Sequence, residues 1–192
     1  MPDEIRTVRF EETVLPHLAA AYNLARWLVH NEHDAEDLVQ EAYLRAFKFF
    51  SGYHGGDSRA WLLTIVRNTC YTWLQQNRAL RLIDPIDDKL EEVGSDFADP
   101  ETLLLQDADS QLVRQALEEL PVEFREIVVM REMEGLSYKE IANIVDVPIG
   151  TVMSRLARGR KRLHALLANR MGKEASVELS GNTRVDSRLS RR

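Results

Sequence analysis

Cysteine is almost missing from this chain of 192 residues, where Cys70 stands alone. One thiol excludes an intramolecular disulfide, and a zinc site would have to be assembled from scattered histidines, of which only His30 and His33 are close in sequence. These two read as exposed residues near a helix end, so neither a metal nor a cofactor is expected. No grouping of His, Cys and carboxylates suggests catalysis, and the chain does not read as an enzyme. Long apolar runs are missing as well. None approaches the roughly 20 residues that span a bilayer, and the opening MPDEIRTVRFEE lacks the build of a secretory signal. A cytoplasmic protein with no membrane insertion is expected. Alternating strand patterns and internal repeats are absent too, while helical periodicity runs through most of the chain, which predicts an all-α protein.

Positive charge is outnumbered, with 25 Lys and Arg against 31 Asp and Glu, and the net charge of −6 argues against a nucleic-acid partner until its distribution is considered. Between Arg81 and Ser110 ten acids face only Arg81 and Lys89, a local balance of −8 that leaves +2 for the remainder. Acidity thus belongs to one segment, and basic faces elsewhere remain able to steer toward DNA.

The densest information lies in residues 136–167, LSYKEIANIVDVPIGTVMSRLARGRKRLHALL. Ser137 and Glu140 form a capping box, and Ile141, Ile144 and Val145 recur at helical spacing until Asp146-Val147-Pro148 stops the run. A second helix then begins, with Gly150-Thr151 as its expected N-cap. Val152, Leu156, Gly159, Leu163 and Leu166 share its inner face. Thr151, Ser154, Arg155, Arg158, Lys161 and Arg162 fall on the opposite arc at about 100° per residue, with no acid among them. Two helices joined in this way are the pattern of a helix-turn-helix, whose second helix enters the major groove. Arg155 is the expected base reader, because arginine can bind guanine O6 and N7 together; Arg158, Lys161 and Arg162 suit phosphates.

Upstream, a first helical region is expected over residues 10–30, with Val14, Leu18, Ala21, Ala25 and Leu28 inward and Pro16 disturbing its first turn. Asp34 is the expected cap of the next helix, whose core face is Ala35, Leu38, Val39, Ala42, Ala46, Phe49 and Phe50. Asp37, Gln40, Glu41 and Leu44 consequently face outward; a leucine among acids suits a partner surface, although single exposed apolar residues are common and Leu44 alone is read more readily as one of these. A glycine-rich loop over residues 52–58 leads into a helix from Arg59 to about Leu80. Trp61, Leu62, Ile65, Thr69 and Trp73 form its expected inner side. Arg67, Asn68, Tyr71, Gln75 and Arg78 form an outer side of bases, amides and one ring, able to hold phosphates and stack exposed bases. Residues 82–100 carry no sustained apolar period and read as a linker. Helices resume over about 101–120, and Pro121 opens another in which Phe124, Ile127, Val128 and Met130 are inward. The tail after Met171 is polar and reads as disordered.

An acid-faced helix, a basic and aromatic helix after a glycine loop, and a distant helix-turn-helix, in that order, resemble a bacterial sigma-70 family sigma factor of the extracytoplasmic-function (ECF) group. DAEDLVQEAYLRAF at 34–47 is similar to the family's core-polymerase-binding segment. RAWLLTIVRN at 59–68 is similar to its promoter-melting segment, and residues 136–163 to its reader of the distal promoter element. The resemblance implies a sigma-2-like domain over 10–80, an acidic linker over 81–100, a sigma-4-like domain over 101–170 and a disordered tail over 171–192. It further implies that core RNA polymerase and promoter DNA are partners and that an anti-sigma factor exists. By that likeness Asp37, Gln40, Glu41 and Leu44 dock on the beta-prime clamp helices, with further contact to the beta subunit. Tyr53, His54, Asp57, Ser58, Arg59, Trp61, Arg67, Asn68 and Tyr71 hold the opened minus-ten element. Thr151, Ser154, Arg155, Arg158, Lys161 and Arg162 read the minus-thirty-five element. The alternative is a one-component helix-turn-helix regulator without a sigma role; such proteins are usually dimers on palindromic half-sites, whereas this chain offers two unlike DNA surfaces and no dimer seam. Finally, the acidic linker, with a span on the order of 30 Å, is long enough to screen the basic face of the last helix.

Overall fold

The computed structural model describes residues 3–83 and 103–182, and every regular element within them is helical. α1 (Asp3–Val14) and α2 (Leu18–Val29) are separated by a 3-10 turn over Leu15–His17. Pro16, without an N–H to donate, splits the single run expected over residues 10–30. The turn also rotates Leu18 out of the expected apolar stripe, leaving it 49% exposed, while Val14, Ala21, Ala25 and Leu28 are buried as expected. Phe10 ties α1 down by meeting Tyr43, Phe47 and Phe50 edge-on at centroid distances of 6.3, 5.2 and 5.3 Å.

α2 stops where His30 adopts a left-handed backbone with φ 63°, closing back on the Arg26 carbonyl at 3.0 Å. α3 (Glu32–Phe49) follows almost at once. Its cap is Asn31, not Asp34: the extended Asn31 backbone lets the side-chain oxygen turn back and accept the Asp34 N–H at 3.1 Å. Phe49, expected inside, is 60% exposed and lies beside the Lys48 ammonium, since Phe50 alone turns into the core at the 3-10 turn Phe50–Gly52.

α4 (Ser58–Ile83) is the central strut. Its fully buried residues are Leu62, Leu63, Val66, Thr69 and Cys70, whereas Trp61, Ile65 and Trp73 are partly buried. The inner face is therefore displaced from the one expected, because α4 packs on two sides: against α2 and α3 on one, and against α7 of the second bundle on the other. Burial pushes the Cys70 thiol up to about 12, so it behaves as a small apolar side chain.

The second bundle comprises α5 (Leu103–Glu118), α6 (Val122–Val128), a π turn over Val129–Met133, α7 (Tyr138–Val145) and α8 (Ile149–Asn182). All seven residues from Phe124 to Met130 are buried, because α6 is enclosed by α8 on one side and α2 on the other. α8 continues to Asn182, through the first half of the tail expected to be disordered from 171 onward. Extending a helix already nucleated upstream adds one bond per residue fixed, so a polar run containing Lys173-Glu174-Ala175 can follow where it could not nucleate alone. The 82–100 linker lies outside the described residues, apart from the last residues of α4.

Gly159 lies where α8 crosses α6. A Cβ built there would stand 2.9 Å from Val128 Cγ2 and 3.4 Å from Phe124 Cβ. Alanine would raise helix propensity by about 1 kcal/mol, but overpacking a β-branched neighbour costs about 1–3 kcal/mol. Gly159→Ala is therefore expected to lose up to about 2 kcal/mol in urea unfolding, with a favourable coupling of about 1 kcal/mol when Val128→Ala is added. Strictly additive effects would remove the energetic weight assigned to this close approach.

Candidate functional site

On α3 the turns bearing Ala35, Leu38, Val39, Ala42 and Ala46 are buried, so the spacing of the helix forces Asp37, Gln40, Glu41 and Leu44 onto the opposite arc. All four are exposed, Leu44 by 71%, and Glu41 pairs with Arg45 one turn on. Beside them lies an apolar groove of about 460 Å³ between α1 and α3, walled by Phe10, Leu15, Tyr43, Leu44 and Phe47. The contribution of α1 was not read from sequence. The available signal was Pro16, which has no N–H to donate within a helix and so separates α1 from α2.

The loop after α3 turns through Gly55 and Gly56, both at positive φ (95° and 102°). Tyr53 donates its hydroxyl to the Gly56 carbonyl at 2.7 Å, stacks on Phe50 at 5.8 Å and meets Trp61 at 5.0 Å. Asp57 caps α4 by accepting the Ala60 N–H at 3.0 Å. Ser58 Oγ lies 2.9 Å from His17 Nε2. Of the residues expected to hold the opened strand, four thus have identifiable structural work, while His54 and Asn68 face solvent.

The remaining three are engaged by the second bundle. Arg67 binds Glu126 at two points, Nε to Oε2 at 2.7 Å and Nη2 to Oε1 at 3.2 Å, with the Tyr71 ring 4.3 Å from its guanidinium carbon. Burial opposes the Arg67 charge, but the Glu126 hydrogen bond and charge outweigh it and hold its pKa above the usual value. Burial first, and then Glu126, raises that of the Tyr71 hydroxyl. Arg59 pairs with Glu134, which also accepts from Asn23 of α2 at 3.1 Å. Periodicity had placed Arg67 and Tyr71 on the outer side of α4.

In the helix-turn-helix, the Ser137–Glu140 capping box forms in both directions: the Glu140 N–H reaches Ser137 Oγ at 3.2 Å and the Ser137 N–H reaches Glu140 Oε2 at 2.6 Å. These bonds hold the Glu140 carboxyl below its ordinary range. α7 ends at Asp146, left-handed at φ 55°, with the Val147 N–H on the Ala142 carbonyl at 3.2 Å. α8 starts earlier than its expected cap. The Pro148 carbonyl accepts the Thr151 and Val152 N–H groups at 2.8 and 3.2 Å, so Thr151 sits within the first turn. Ser154, Arg158 and Lys161 are exposed and Arg155 half-buried, all on the outward arc. Arg162 lies at the edge of that arc, its guanidinium 4.7 Å from the Phe124 ring. Among the described residues no carboxylate pairs with Arg155, Arg158 or Lys161, whereas neighbouring Arg160 is held by Glu132 at 2.9 Å. Screening of this face by the acidic linker concerns residues outside those described.

Among the described residues no cluster of three His, Cys, Asp or Glu side chains could hold a metal ion, and no helix is long and apolar enough to cross a membrane. Comparison with known proteins matches residues 13–80 to the family described as sigma-70 region 2 and residues 110–163 to sigma-70, region 4. Over 173 residues the chain is 34% identical to the ECF RNA polymerase sigma factor SigE of Mycolicibacterium smegmatis, covering 90% of this chain and 67% of that one. It is 36% identical over 137 residues to the ECF RNA polymerase sigma-E factor of Escherichia coli K12, covering 68% and 72%. Among solved structures, the sigma factor RpoE of Bartonella quintana, crystallised with the anti-sigma factor NepR, is similar with a TM-score of 0.69 and 32% identity over 83% of this chain and 97% of that one. CnrH in complex with the cytosolic domain of CnrY gives 0.59 and 25% identity over 83% and 88%. These likenesses favour a sigma role over a one-component regulator. The two helical modules, their order and these relatives agree: the chain belongs to the sigma-70 family of RNA polymerase sigma factors, in its ECF group, a family of transcription-initiation factors and not of enzymes.

Proposed function

We propose that the three surfaces divide the work of initiation. The α3 arc of Asp37, Gln40, Glu41 and Leu44 docks core RNA polymerase through its beta-prime clamp helices. The loop and α4, over 53–71, take the opened minus-ten strand. The α8 arc reads the minus-thirty-five element in duplex DNA. Residues 10–80 and 101–170 are the two working modules, with 81–100 as their linker. The observation that carries this reading is the α8 face: among the described residues Arg155, Arg158 and Lys161 stand unpaired by acid, whereas Arg26, Arg59, Arg67, Arg160 and Arg170 are each held by a carboxylate. A carboxylate-free basic face at the start of a recognition helix is what phosphate and guanine contacts require. An anti-sigma factor is proposed as the regulator, because the similar RpoE was crystallised with the anti-sigma factor NepR.

Run-off transcription from a promoter library with purified core polymerase tests the whole reading. Discrete start sites preceded by two spaced elements are expected, and duplex binding without any transcript would return the chain to the regulator class. Within α8, Arg155→Ala is expected to relax base preference at the distal element by about 1–3 kcal/mol at one position. Lys161→Ala is expected to weaken binding across sequences and lower the salt slope by about one. Identical shifts of a promoter-mutation panel by both variants would remove that division of roles.

A further inference from the structure

The Pro148 carbonyl accepts the Thr151 and Val152 N–H groups, so Ile149 is the first residue of α8. That start, earlier than expected, brings Ile149 and Met153 onto one flank a single turn apart. Val152 and Leu156 carry the buried face, which leaves Ile149 and Met153 46% and 52% exposed. Neither was among the residues expected to read the distal element. At about 100° per residue Met153 lies about 100° from Ser154, on the side away from Arg155, so the solvent surface of the first turns runs from Arg155 through Ser154 to Met153. Between Ser154 and Met153 around the helix stand exposed Gly150 and Ala157, and a Cβ built at Gly150 would meet nothing within 4 Å. Residues this small let the helix approach a neighbouring surface closely. Arg160, about two turns further along the flank of Met153, is held by Glu132. The cation nearest to that flank is therefore engaged, and apolar contact is what its first turn has to offer.

We propose that Ile149 and Met153 read thymine in the distal promoter element, packing against C5 methyl groups in the major groove while Arg155 reads guanine from the other flank of α8. The inference rests on the assignment of α8 to duplex DNA. In a helix-turn-helix it is the N-terminal residues of the second helix that reach base edges. The thymine methyl is the apolar group that a base pair presents in the major groove, and apolar side chains contact it there. Arg158 and Lys161 lie on the same exposed surface with no acid among them, so a polyanion is drawn onto it. A protein partner is a poor match for so small a patch, because a stable interface buries about 800 Å² on each side and two side chains supply only a fraction of that. A methyl group needs no more than the tip of one side chain. Met153, unbranched and flexible, can follow a methyl over a small range of DNA geometry, whereas β-branched Ile149 presents a fixed shape.

The test uses the full chain assembled with core polymerase, on the promoters recovered by run-off transcription. Each thymine in either strand of the recovered distal element is replaced singly by deoxyuridine, which deletes the C5 methyl and keeps both the base pair and the O4 acceptor. One or two of these replacements should weaken holoenzyme binding by about fourfold each, the effect of one buried methyl-sized group. Met153→Ala should lose a similar factor on the thymine duplex and become indifferent to uracil at the same position, and Ile149→Ala should do so at a neighbouring one. Both side chains are exposed, so neither variant is expected to unfold. Met153→Leu keeps the apolar bulk and should keep the methyl dependence. Binding indifferent to every methyl, at promoters that are still transcribed, would overturn the inference and leave the α8 assignment standing. Methyl dependence undiminished in both alanine variants would do the same. A Met153→Ala chain with weakened affinity for core polymerase and unchanged base preference would overturn it too, by giving the patch to the polymerase. Recovery of no promoter with a distal element would overturn the α8 assignment and the thymine reading with it.

Discussion

Asp37→Lys together with Glu41→Lys is expected to reduce run-off transcription by at least a hundredfold at an unchanged melting temperature. Both carboxylates are exposed on the arc of α3 opposite Ala35, Leu38, Val39 and Ala42, so neither substitution touches the core. Glu41 loses only its pairing with Arg45, an exposed pair one turn apart, which is worth a few tenths of a kcal/mol. A basic docking partner, in contrast, would meet two like charges where it had met two opposite ones, and such juxtaposition at an interface costs several kcal/mol. The check is a titration of labelled protein with core polymerase, paired with thermal unfolding. Core binding at wild-type affinity would remove α3 as the docking helix. A parallel loss of stability would mean that the arc carries more of the fold than its exposure indicates.

What could be read from sequence and what could not divides along one physical line. Period and capping chemistry act within a helix or its nearest neighbour, and they identified α3, the helix-turn-helix and its capping box. Errors of a few residues arose where two groups competed for one role. Asn31 outcompetes Asp34 as a cap, and the Pro148 carbonyl starts α8 before Thr151 can. Glu126 is a different case. Periodicity names Phe124, Ile127, Val128 and Met130 as inward and gives Glu126 no partner, but its side of α6 faces α4, which lies some sixty residues earlier in the chain. Pattern analysis assumes one buried face per helix, and α6 has none exposed. A signal was available in FREIVVM itself: five apolar residues out of seven leave little for a solvent face, so the Arg125-Glu126 pair inside that run had to find partners of its own. Arg125 found carbonyls, those of Glu118 and Leu120 at 2.7 and 3.3 Å, and burial pushes its pKa down to about 10 without neutralising it. The consequence for the candidate site is large, because the partners of α6 are the basic groups expected to meet DNA.

Trp61→Ala is expected to lower stability and promoter opening together. Trp61 lies in the first turn of α4 and is partly buried, with its ring 5.0 Å from that of Tyr53 and 6.3 Å from that of Phe50. Truncating a fully buried tryptophan costs about 3–5 kcal/mol, and partial burial places the expected loss at about 2–4 kcal/mol. Tyr53 depends on the same packing: stacked on Phe50 and bonded through its hydroxyl to the Gly56 carbonyl, it holds the glycine loop against the start of α4. Removing the indole should therefore loosen the loop as well as the helix, and strand capture should suffer through both. Trp61→Phe retains a ring in the cluster and should recover most of the stability and most of the opening. Thermal unfolding and permanganate footprinting of the minus-ten region in the assembled holoenzyme give the two readouts. Loss of opening in Trp61→Ala at full stability would instead assign the indole to direct stacking on a promoter base, as would a Trp61→Phe chain that is stable but opens poorly.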